Sequence, residues 1–80
     1  MPKVLEYKGY KFFFFSNEGY PTEPAHIHVR KGSYLAKFWL KPSVILASSW
    51  GMNAKELKML QSIVEQYQED FEKRWHDYFG

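Results

Sequence analysis

The sequence predicts an α+β domain. An antiparallel β-sheet of three to five strands is expected over residues 3–47, with one face covered by one long or two short C-terminal α-helices over residues 54–79. Three observations carry this. Short runs rich in Phe, Tyr, Val and Ile alternate with Gly-containing turns through the first half of the chain. From Asn53 onward apolar residues recur at spacings of three and four, with no Gly or Pro before Gly80. The length, 80 residues, suits a single domain spanning 1–80.

The elements follow in order. Val4 to Tyr7 reads as a short strand, and Lys8-Gly9 as a tight turn, since glycine accepts positive φ without steric cost. The second arm of this hairpin runs from Tyr10 to Ser16 and holds four consecutive phenylalanines, Phe12 to Phe15. A half-exposed strand would alternate, so both faces here are covered or one is an adhesive surface. Asn17 to Pro24 is a loop dense in Gly, Pro and Asn, and Pro24 holds Glu23 extended. Strands are expected at His26 to Arg30 and Tyr34 to Leu40, joined by a turn at Lys31-Gly32-Ser33 and ended by Pro42. Val44 to Ala47 adds a short edge strand.

The helical part opens with Asn53 as N-cap and Glu56 as its reciprocal partner three residues on. Leu57, Leu60, Val64, Tyr67, Phe71, Trp75 and Tyr78 form one apolar stripe. A single helix of that span would be ~39 Å long, against ~23 Å for a seven-residue strand. The mismatch predicts a break near Gln66 to Glu69, with Leu57, Leu60, Val64, Phe71 and Trp75 on the sheet.

Composition narrows the function. A chain this short buries only about 60–65% of its unfolded surface, and with no cysteine it has neither disulfide nor thiolate metal site to add stability. The aromatic share of 20% offsets the small size. No charged-then-apolar leader opens the chain and no apolar run approaches the roughly 18 residues of a membrane span. A cytoplasmic protein without membrane association is the expectation. The net charge of +2 is uneven: residues 1–51 carry seven Lys/Arg against three Glu, whereas residues 52–80 carry four against six acidic groups. A polyanion should meet the first part.

The strand His26-Ile27-His28-Val29-Arg30 is where chemistry concentrates. With Ile27 and Val29 turned to the core, His26, His28 and Arg30 share the other face. Parity places Leu35, Lys37, Trp39 and Lys41 beside them, and Phe13 and Phe15 complete the surface. Two histidines at this spacing can share a metal, with His76, Asp77 or Glu23 as further ligands. The strand supplies only two ligands and the C-terminal stripe packs on the opposite face, so no metal or other cofactor is expected.

Two other readings use the same residues. Rings interleaved with cations suit single-stranded nucleic acid, with Arg30, Lys31, Lys37, Trp39 and Lys41 as its contacts. His26 and His28 could then serve as general base and general acid in metal-independent RNA cleavage. Alternatively Phe13, Phe15 and Trp39 form an interface with a second copy or a cognate protein, the basic residues being its rim. His76, near a helix C-terminus, reads as structural.

Ser16-Asn17-Glu18-Gly19, Glu23-Pro24-Ala25-His26-Ile27-His28-Val29, Ala36-Lys37-Phe38-Trp39-Leu40 and Trp75-His76-Asp77-Tyr78-Phe79-Gly80 together resemble the small bacterial family catalogued as domain of unknown function 4160. The likeness covers nearly the whole chain. Ala25 stands where the family pattern has a second proline. The resemblance implies a gene context similar to toxin–antitoxin modules, with a second small protein as partner, and supplies no catalytic residues. The functional expectation is a component of such a module that binds RNA, with or without metal-independent cleavage by His26 and His28, against a non-catalytic interaction protein.

Overall fold

In the computed structural model, which describes residues 3–15 and 23–79, five strands form one antiparallel sheet in chain order and two helices follow. The strands are β1 (Lys3–Tyr7), β2 (Tyr10–Phe13), β3 (His26–Lys31), β4 (Tyr34–Trp39) and β5 (Ile45–Trp50). The helices are α1 (Ala54–Gln66) and α2 (Gln68–Phe79). This is the expected α+β arrangement at the upper end of the strand count. Most strand ends shift by one residue, and two boundaries differ by more. The sheet runs to Trp50 rather than ending at Ala47, because Ser48, Ser49 and Trp50 pair with Lys37, Ala36 and Leu35 of β4. β2 ends at Phe13, and most of the loop expected over 17–24 lies outside the described residues.

Two-residue turns set the register. Lys8 and Gly9 both have positive φ, 49° and 86°, as a type I′ turn requires. Gly32 (φ 60°) precedes Ser33 in the β3–β4 turn, where glycine at the first central position gives the type II′ geometry. Gly51 also has positive φ, and a Cβ there would collide with the Tyr34 ring.

The phenylalanine run divides by parity. Phe12 and Phe14 join Tyr10, Ile27, Val29, Ala36, Phe38 and Leu40 on one face, packed with Leu60, Val64, Phe71 and Trp75 of the helices. Full burial of a side chain of this size contributes about 1.5–3 kcal/mol, which is how so short a chain holds together. Phe12 meets Phe71 at 6.0 Å between ring centroids, and Phe14 meets Trp75 edge-on at 5.4 Å. α2 therefore lies over β2, while α1 approaches β4. Leu57 packs against the same core.

Asn53 accepts from the amide of Glu56 at 2.8 Å, and the Glu56 carboxylate accepts from the amide of Asn53 at 3.1 Å. This capping box starts α1 where the sequence predicts. The helical stretch breaks at Tyr67, inside the expected window, with φ −103° and ψ 14°. A straight helix through it would exceed the molecule's longest extent of 33 Å. At the break, Gln68 Nε2 donates to the carbonyl of Leu40 at 2.7 Å, fixing the helix pair to the end of β4. Tyr67 and Tyr78, counted in the apolar stripe, are exposed at its margin. Among the described residues no helix is long and apolar enough to cross a membrane.

Candidate nucleic-acid interface

The strand pairings arrange the face opposite the helices as a grid. One row runs Glu6, Lys11, Arg30, Leu35, Trp50 across the five strands. The next runs Lys3, Phe13, His28, Lys37, Ser48, and the third holds His26, Trp39 and Ile45. The parity of β3 and β4 thus brings His26, His28, Arg30, Lys37 and Trp39 together, as the alternation expects.

Burial separates the two histidines. His26 is 0% exposed: its ring lies 4.8 Å from Trp75, 5.4 Å from Trp39 and 5.3 Å from His28. Its Nδ1–H donates to the carbonyl of Pro24 at 2.9 Å. A carbonyl can only accept, so this bond places the hydrogen on Nδ1. His28 is half-buried, stacked on Phe13 at 5.8 Å with 26° between the planes and set edge-on to Phe15 at 4.4 Å. Phe13, Phe15 and His28 therefore behave as one aromatic unit.

Cations surround that unit. Lys37 Nζ sits 4.4 Å from the Trp39 ring centroid and 3.3 Å from a carboxylate oxygen of Glu23, a cation–π contact and an ion pair made by one ammonium. Lys3 donates to Glu6 at 2.8 Å and holds that carboxyl below the usual carboxylate range. Two shallow depressions flank the Phe13–His28 pair. One, of about 110 Å³, is lined by Lys3, Lys11, Phe13 and Arg30. The other, of about 350 Å³, is lined by Phe15, His28, Leu35, Lys37, Ser48, Trp50 and their neighbours.

Two predicted contacts are placed elsewhere. Lys31 has the parity of Val29, so its Nζ lies 4.7 Å over the Tyr10 ring on the helix side. Lys41 follows β4, where alternation no longer applies, and its Nζ lies 3.7 Å from Glu72 of α2. His76 is exposed on α2, and among the described residues no three His, Asp or Glu side chains converge as metal ligands. Conversely, sequence reasoning missed Lys3, Lys11, Ile45 and Trp50. The parity of Lys11 with Phe13 was available as a signal. Lys3 was hidden by a bulge at Val4, which shifts the register of β1.

The pattern of the family described as a domain of unknown function (DUF4160) matches residues 9–76, well over half of the chain. The chain belongs to this family. The matched span takes in β2 to β5 and nearly all of both helices, so the family covers the core and most of the open face; Lys3 and Glu6 lie outside it. No curated protein and no solved structure matches the chain.

Proposed function

We propose that the open face of the sheet binds single-stranded RNA, and that the chain is the RNA-binding component of a bacterial, cytoplasmic two-protein module of the toxin–antitoxin kind. The observation that carries this reading is the grouping of Lys11, Arg30 and Lys37 around the half-buried rings of Phe15 and His28, which line the larger depression, with Phe13, only 6% exposed, stacked against His28 from within. Unpaired bases stack on rings whatever their sequence, while phosphates pair with neighbouring cations. Trp50, 64% exposed at the far end of the face, offers a further ring.

The histidines divide their labour in this reading. Cleavage by a histidine pair needs a base and an acid that both reach the same phosphodiester. His28 borders the larger depression, whereas His26 is enclosed by two tryptophans. His28 is thus the RNA contact and His26 a positioning residue beneath it, and the proposed activity is binding without cleavage. The test is fluorescence anisotropy with labelled oligouridine and a duplex of equal length. Binding that favours the single strand and weakens with salt, by a slope of about 0.7 per phosphate contacted, supports the reading. Equal preference for duplex, or no binding at low salt, defeats it; cleavage abolished by H28A would restore a catalytic role.

A second reading has its own observation. Leu35, Ile45 and Trp50 are 41%, 52% and 64% exposed around β5, one of the two edge strands of the sheet, and such a corner suits a cognate protein or a second copy. Light scattering after size exclusion, with and without a candidate partner, distinguishes a monomer from either complex.

A further inference from the structure

We propose that the depression spanning β1, β2 and β3 is a binding site for a phosphomonoester dianion, the group carried by a phosphorylated end of an RNA strand. Its volume of about 110 Å³ is that of roughly three to four waters, enough to seat a tetrahedral oxyanion. Lys3, Lys11 and Arg30 line it together with the Phe13 ring.

Lys11 lies between Glu6, whose carboxyl it helps Lys3 to hold low, and a second cation, Arg30. Lys11 and Arg30 are direct cross-strand partners, and like charges directly opposite one another weaken a sheet. Among the described residues neither has an ion pair. The third cation arrives by a specific device. Lys3 and Glu6 are three residues apart, so a regular strand would send them to opposite faces. The bulge at Val4 puts both on this face, with Lys3 paired to Phe13, Glu6 paired to Lys11, and a 2.8 Å ion pair between them.

Charge selects the ligand. Three cations less the Glu6 carboxylate leave a formal +2 around the depression. A phosphomonoester carries about −1.5 to −2 at neutral pH and matches it, whereas an internal phosphodiester has a single negative charge. The rest of the face, with Lys37 and the rings, then takes the internal part of the strand. Only the source of the phosphate rests on the RNA reading; the charge argument stands apart from it.

The experiment has two parts. The isotope-labelled chain is titrated with inorganic phosphate at constant ionic strength, with chloride as control, and amide shifts are followed. Saturable shifts at Lys11, Phe13 and Arg30 that are lost in K11Q support the site; shifts no larger than those with chloride, or unchanged in K11Q, overturn it. E6Q, which frees Lys3 from its carboxylate, should bind phosphate a few-fold more tightly. Oligouridines with a phosphate at one end, the other or neither then decide the source. A gain of about tenfold for one phosphorylated end, erased by K11Q, assigns the site to RNA termini. If phosphate binds but the ends make no difference, the ligand is a small phosphomonoester. If no oligouridine binds at all, the RNA reading fails while the site remains.

Discussion

The ring of His26 lies 4.8 Å from that of Trp75, so the second helix, packed on the core side of the sheet, also supports a histidine that the strand sends toward the opposite face. Core and open face are joined at this point. H26A leaves a cavity beneath His28 and between two indoles, and should cost about 2–4 kcal/mol in urea unfolding. A loss within the range of exposed substitutions would show that the contact with Trp75 does not hold the end of the sheet.

The start of α1 should give the protein a particular dependence on pH. Tyr10 donates to Glu56 at 2.6 Å, and that bond holds the Glu56 carboxyl below its ordinary pKa, aided by the Asn53 amide, and pushes the Tyr10 hydroxyl above its own. A carboxylate with a depressed folded-state pKa contributes stability that is complete above its unfolded pKa and lost as pH falls through the folded value. A phenol with a raised folded-state pKa contributes below its unfolded value and loses that as pH rises through the folded one. Y10F removes the phenol's contribution and the larger part of the carboxylate's, leaving the bond from the Asn53 amide, so its thermal midpoint should change less than wild type toward acid and toward alkali. Parallel curves would contradict this. N53A, which breaks the reciprocal cap, should cost about 1 kcal/mol at neutral pH.

Arg30 offers a case in which stability and binding should move in opposite directions. R30T removes the like charge facing Lys11 and supplies a residue suited to strands. The free protein should gain about 0.2–1 kcal/mol, read by denaturation, while affinity for oligouridine falls. A variant that loses both would show that Arg30 has a structural role instead.

The sequence made most of the fold legible, because its signals were local and agreed with one another. Asn53 and Glu56 mark the start of α1, Gly9 and Gly32 mark the two tight turns, and the parity of His26, Ile27, His28 and Val29 sorts two faces. The break at Tyr67 carries no Gly or Pro, but helix length against sheet width was enough to place it. What could not be read depended on irregular register or on the ends of strands. The bulge at Val4 conceals that Lys3 joins the open face, and a second register shift between Lys37 and Phe38 carries β5 on to Trp50. Lys31 was grouped with the binding residues for its charge and Lys41 by parity, yet Lys31 has the wrong parity and Lys41 lies beyond the strand, where parity no longer holds. The burial of His26 depends on Trp75, far away in sequence, and no local pattern could announce it.

Amide chemical-shift mapping during titration with oligouridine tests most directly whether the open face is the functional surface. The expected result is saturable shifts grouped at Lys11, Phe13, His28, Arg30, Leu35 and Lys37, strongly reduced in H28A, with α1 and α2 unchanged apart from the neighbourhood of Trp75. Shifts centred on the exposed side of the helices, or no shifts at low salt with a folded chain, would contradict the account.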